Sequence, residues 1–181
     1  MLEIIGSAVI GGLVLLIILQ LNSGIIDSST NLSMTSNIQG NLTSLTEEVE
    51  YYFRKIGYDV ATSPTITVAD PKYITFLSDI DANGVVDSVS FFLSDTSALS
   101  VTANPNDRLL YRKLNNDPPG ASNLGVVDFN LTYYNSSGNI AAVLSDIRYI
   151  KYSLTIQSVY PYNGEYPTVY IERVIQPNNL R

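Results

Sequence analysis

The chain has no Cys, no His and no Trp among its 181 residues, and only 10 Lys and Arg against 17 Asp and Glu. Each absence removes a class of chemistry. Without Cys there is no disulfide framework, no thiolate metal site and no c-type haem attachment. Without His, the commonest general base and zinc ligand is gone. A formal net charge of −7 and a pI near 4.4 argue against nucleic acid as a partner, because binding to phosphate backbones is driven by clustered Lys and Arg. Positive charge is scarcest at the front of the chain, where the first basic side chain is Arg54. A cleaved secretory signal, which starts with a basic region, is therefore disfavoured, and orientation by flanking Lys or Arg has no side chain to act on there.

What the front of the chain does contain is a long apolar run, "MLEIIGSAVIGGLVLLIILQLN", residues 1–22. Between Ile4 and Leu21 only Ser7, Gln20 and three glycines interrupt it, which approaches the ~20 residues needed to cross ~30 Å of hydrocarbon. A membrane anchor is the plain reading. Glu3 is the exception. A charge at the centre of a bilayer costs about 2.5–3.5 kcal/mol on insertion scales, so an acid in such a segment calls for a partner.

Residues 22–57 have the Ser, Thr, Asn and Gly content of a linker, but their spacing predicts a helix. Ile38, Leu42, Leu45, Val49, Tyr52 and Ile56 recur at intervals of four and three and lay one apolar stripe along it. Glu50 and Arg54 form an i,i+4 pair with the acid first, Arg54 and Lys55 suit the last turn, and Gly57 follows as a C-cap. If Ile25, Ile26, Leu32 and Met34 are helical as well, one rod runs from residue 1 to about 56, roughly 85 Å long. Gly24 and Gly40 are its weak points. The predicted organisation is a long helix over 1–57, with an apolar half at 1–22 and an amphipathic half at 23–57, followed by a β-rich head over 58–181.

Past Gly57 the period changes to two, and short runs are bounded by Asn, Asp, Gly and Pro. The predicted strands are "TITVA", "YITFLSDI", "VVDSVSFFL", "RLLYRKL", "VVDFNLTYY", "IRYIKYSLTIQ" and "PTVYIERVI". Phe129, Leu131 and Tyr133 share one face of their strand, as do Ile150, Tyr152, Leu154 and Ile156 of theirs. Each strand then offers one face to a core, and the helical stripe is its natural partner. The expected class is α+β, an antiparallel sheet packed on the second half of the rod.

Two kinds of polar motif stand out. Asp79, Asp81, Asn83 and Asp87 surround Gly84 in "SDIDANGVVDS", an oxygen-rich run of the kind that binds Ca²⁺, although Ser90 occupies the position where an EF-hand has its bidentate Glu. The same Asn83-Gly84 pair between alternating strands is a strong signal for a type I′ hairpin turn, which needs no ion. Four Asn-x-Ser/Thr sequons begin at Asn31, Asn41, Asn130 and Asn135 and permit glycosylation of an exported surface. The 13 tyrosines fit amphipathic strands better than a stacking or cofactor site. No arrangement of acids, bases or nucleophiles forms a catalytic set, so a non-enzymatic role is expected.

An apolar N-terminal helix with an early Glu, an amphipathic continuation ending "EEVEYYFRKIGY", the hairpin "ITFLSDIDANGVVDSVSFFL", the pair "LLYRKLNN" and "VVDFNLTYYNSSG", and the closing "VYIERVIQPNNL" occur in an order that resembles the type IV pilin superfamily, most closely its pseudopilin and minor-pilin branches. The resemblance implies a lollipop-shaped subunit, held in the inner membrane and then extracted into an extracellular helical filament with the N-terminal helices bundled inside. It also implies a prepilin peptidase that removes a short basic leader, leaving Met1 as the first mature residue, and an assembly machinery as partners. Under it, Met1 and Glu3 would pair between neighbouring subunits, while Leu16 and Ile17 would lie in the apolar bundle. The alternatives are a minor pilin or pseudopilin of a pilus or secretion machine, and a single-span anchored module whose 79–87 loop takes Ca²⁺ or another ligand.

Overall fold

The computed structural model describes residues 2–180, with side chains from Ile4 onward. One helix, α1 (Leu2–Arg54), precedes seven strands: β1 (Ile66–Asp70), β2 (Tyr73–Ser78), β3 (Asp87–Leu93), β4 (Arg108–Leu114), β5 (Gly120–Tyr134), β6 (Tyr149–Gln157) and β7 (Thr168–Ile175). The strands form a single antiparallel sheet in the order β1 to β7. A meander of this kind pairs neighbours in sequence and needs no crossover. The fold is α+β, as the change of period predicts.

The helix is unbroken for 53 residues, passing through Gly24 and Gly40. Its Ser- and Thr-rich middle stays helical because hydroxyls turn back onto carbonyls of their own helix, Thr30 to Ile26 O at 2.9 Å, Thr43 to Gln39 O at 2.9 Å and Ser44 to Gly40 O at 3.1 Å. That bonding satisfies the side chains without breaking the backbone ladder. At the far end Gly57 has φ +76, the left-handed conformation expected of a residue that ends a helix. Its N–H departs from the usual cap, donating to Leu77 O at 2.9 Å and so tying the helix end to the sheet.

All seven predicted strands form, most with trimmed ends, while β1 gains Asp70 and β5 is extended at its start. β5 starts at Gly120, earlier than its alternation shows, because its first part pairs with β4 and its last part with β6. The pairing irregularity that accompanies this exchange falls beside Gly125, at φ +78, where an added Cβ would lie 2.3 Å from Gln157 O. Only glycine fits that close approach. Beyond β4 the sheet curls until the β1–β2 turn reaches β5: Leu131 N–H donates to Pro71 O at 2.8 Å and the Tyr133 hydroxyl to Asp70 O at 2.9 Å.

The concave face of the curled sheet holds the second half of α1. Ile38, Leu45, Val49 and Ile56 of the predicted stripe are buried there, and Leu42 and Tyr52 pack against the same core. Phe53 was absent from that stripe, yet it sits at the centre. Its ring meets Phe76, Phe91 and Tyr152 edge to face with centroids 6.1, 5.7 and 6.1 Å away. Such pairs add to the area term of burial. Phe53→Ala should lower the unfolding free energy by about 3–5 kcal/mol in chemical denaturation of the detergent-solubilised chain. A change within about 0.5 kcal/mol would show that the ring does not anchor the core.

Candidate functional site

Two features stand outside the core, an uncovered apolar rod and an acidic loop. From Ile4 to Thr30 every side chain of α1 is exposed. Leu16 and Ile17 are 56% and 55% exposed, and Ile4, Ile5, Val9, Ile10, Leu13 and Val14 are uncovered in the same way. Burying each would contribute on the order of 1 kcal/mol or more, so this half is a surface made to be covered. The helix is long and apolar enough to cross a membrane. The hydroxyl of Ser7 is no obstacle, because it donates to Ile4 O at 3.0 Å. At Gly6, Gly11 and Gly12 a Cβ would meet nothing within 4 Å, which leaves notches where another helix can approach closely. Met1 and the side chain of Glu3 lie outside the described residues.

The head holds the rod through specific polar contacts as well as packing. Arg112, on the concave face of β4, pairs with Glu48 at 2.6 Å and lies 4.8 Å over the Tyr52 ring. Asn41 Nδ2 donates to Leu124 O at 3.2 Å, and Lys55 Nζ to Ile80 O at 2.6 Å. The Tyr152 hydroxyl donates to Glu50 at 3.2 Å. Burial, reinforced by the Glu50 charge, pushes the Tyr152 phenol above its ordinary value and keeps it a neutral donor. Sequence periodicity gives no hint of the Arg112–Glu48 pair, since it joins positions 64 residues apart.

The structure gathers Asp79, Asp81 and Asp87 so that one carboxylate oxygen from each lies within 4.8 Å of the others. Asp79 and Asp87 are buried, whereas Asp81 is exposed. The connection differs from the expected type I′ turn. Positive φ occurs at Ala82 and Gly84 rather than at Asn83 and Gly84, and the chain takes a wider path over 79–86. The reason is visible in the hydrogen bonds: Asp79 accepts from the N–H groups of Asn83 at 3.1 Å and Gly84 at 2.8 Å, so the loop winds around this carboxylate. Asp87 accepts from Ile80 N–H at 3.1 Å and Asn115 Nδ2 at 2.7 Å. Asn83 joins the loop from outside the carboxylate group, donating from Nδ2 to Asp81 at 2.9 Å and accepting from Val85 N–H at 2.7 Å. Carboxylates clustered in this way can ligate a hard cation with carbonyls and water completing the shell, and they also close the loop by themselves.

The four sequons are not brought together. Asn41 and Asn130 commit their amide Nδ2 atoms, to Leu124 O and to Asp128 respectively. Asn135 accepts from Ser137 and Asn139 N–H through Oδ1, in a turn whose next four residues are exposed, and Asn31 accepts from Thr35 on the helix. The turn at Asn135 is thus the more open setting for an amide modification. No protein-family model, no curated protein and no solved structure matches the chain. The functional reading therefore rests on the geometry just described.

Asp79→Ala should destabilise the head by about 1–3 kcal/mol, because it strands N–H groups that the carboxylate satisfies. Asp81→Ala, on the exposed side of the loop, should cost clearly less. Equal losses in paired denaturation curves would contradict the assignment of Asp79 as the centre of the loop.

Proposed function

We propose that this chain is a structural, non-enzymatic subunit of a type IV pilus-like filament that polymerises through its apolar N-terminal helix. The observation that carries the reading is the uncovered half of α1, from Ile4 to Thr30, held clear of a head that buries only the second half. In the membrane, lipid covers that surface; in a filament, copies of the same helix cover it. Removal from lipid into a helical bundle then relies on close packing, which the notches at Gly6, Gly11 and Gly12 permit. The same rod serves a major subunit of the shaft and a minor pilin or pseudopilin that primes or caps it. Its location under this reading is the inner membrane before assembly and the cell surface afterwards, with a prepilin peptidase and an assembly machinery as partners.

Glu3 has a role in the same scheme. Pairing with the Met1 α-amine of a neighbouring copy would neutralise both charges away from water and set the axial register of the incoming subunit. Leu16→Asp with Ile17→Asp should abolish filaments in electron micrographs while the head stays folded by circular dichroism. Filaments of normal length would overturn the reading. Glu3→Ala should reach the membrane in normal amount yet assemble poorly, and an unchanged filament yield would remove the proposed pairing.

The convergence of Asp79, Asp81 and Asp87 favours a second reading, a membrane-anchored monomeric module that takes Ca²⁺ in this loop. Ca²⁺ should then slow amide hydrogen exchange over residues 79–87 in the parent chain and leave it unchanged in Asp81→Asn. Equal exchange with and without Ca²⁺ in the parent chain would exclude it.

A further inference from the structure

The connection between β3 and β4 contains another oxygen-rich turn, and this one holds a buried carboxylate oxygen that no donor reaches. Within it Asn104 and Asp107 are 0% and 1% exposed. Asp107 Oδ1 is buried without a hydrogen-bond partner, and Asp107 belongs to none of the ion pairs found among the described residues. Nearby donors are directed elsewhere. Asn104 Nδ2 donates to Gln157 Oε1 at 3.2 Å and Ser158 O at 3.0 Å, Asn106 Nδ2 donates to Gln157 Oε1 at 3.2 Å, and Arg108 donates to Ser94 O at 3.2 Å. The Thr102 hydroxyl is the polar neighbour of the Asp107 carboxylate, but it also lies 2.9 Å from Leu99 O and 3.1 Å from Asn104 O. It has one proton for three acceptors, of which Leu99 O and Asn104 O also accept the N–H groups of Thr102 at 3.1 Å and Asp107 at 3.2 Å, so the atom left without a donor is Asp107 Oδ1. A buried carboxylate oxygen without a donor is costly, and more so when ionised, unless a cation supplies the missing positive charge.

We propose that residues 99–107 form a Ca²⁺ site, with Asp107 Oδ1 as its charged ligand and Thr102 Oγ1 and the carbonyls of Leu99 and Asn104 as its neutral ones. An all-oxygen set mixing carboxylate, hydroxyl and backbone carbonyl suits Ca²⁺ and offers nothing that would select a softer metal. Mg²⁺ fits less well, because it demands near-octahedral geometry and sheds its water reluctantly. A single carboxylate places the affinity in the weak class, about 10⁻⁴–10⁻³ M, typical of extracellular modules. The site is separate from the 79–87 loop and independent of filament formation. Through Asn104, which bonds to Gln157 and Ser158, an ion here would brace the β3–β4 connection against the end of β6.

The test uses the full chain in detergent, with Asp81→Asn as background so that the 79–87 loop does not mask the result. Thermal unfolding is followed in chelator and in about 5 mM Ca²⁺, above the expected dissociation constant. Ca²⁺ should raise the Tm of the background chain. Adding Asp107→Asn should abolish that rise and leave the Tm in chelator equal or higher, since a neutral amide replaces an unpaired buried charge. Thr102→Val, at a half-buried position, is the second variant and should also reduce the response to Ca²⁺. No Ca²⁺ shift in the background chain, a shift that survives Asp107→Asn, or an equal shift with Mg²⁺ would each overturn the proposal.

Discussion

The structure depends on one constraint: a single continuous helix is gripped along its second half only. Phe53, ringed by Phe76, Phe91 and Tyr152, together with Ile38, Leu45, Val49 and Ile56, fills the concave face of a curled sheet. Arg112, Asn41 and Lys55 then fix rotation and axial position through bonds that packing alone would not specify. Because α1 does not break, whatever orients its last turns also aims the apolar half, residue by residue, out of the head. The Gly57 N–H to Leu77 bond closes the arrangement at the point where rod becomes sheet.

Under the proposed function, that geometry accounts for a division of labour along the helix. A head that buried the whole rod would leave no surface for lipid or for other copies. A separate linker between anchor and head would lose the fixed aim of the apolar half. The Ser- and Thr-rich middle of α1 meets both demands. Ser23, Ser28, Ser29, Thr30, Ser33, Ser36, Thr43 and Ser44 are exposed and polar enough to sit in water, yet Thr30, Thr43 and Ser44 bond back to their own helix and keep it continuous. Helical back-bonding of this kind also makes Ser7 tolerable within the apolar half.

The two oxygen-rich connections of the head show how similar compositions reach different electrostatic outcomes. In the 79–87 loop, backbone N–H groups point inward and satisfy Asp79 and Asp87. Around Asp107 the donors face away, toward Gln157, Ser158 and Ser94, and a buried carboxylate oxygen is left without one. Burial pushes the Asp107 carboxyl above its ordinary value, with the Thr102 hydroxyl pulling in the other direction. Composition alone draws the eye to the first loop, since "DIDANG" is a recognisable run and "TANPND" reads as an ordinary turn.

Local pattern determined most of the secondary structure. Stripe spacing places the helix, alternation places all seven strands, and Gly57 marks the end of the rod, because each of these follows from side-chain periodicity and backbone sterics within a few residues. The apolar run that becomes the uncovered rod is equally plain in the sequence. Tertiary structure decided what no short window contains: the depth of Phe53, the Arg112–Glu48 pair, the early start of β5 beside Gly125, the path of the 79–87 loop, and the unsatisfied Asp107. Each depends on which distant strand or helix face arrives next to it. Turn sequences state which conformations are allowed, whereas the direction of every donor around Asp79 and Asp107 is set only when the sheet has curled.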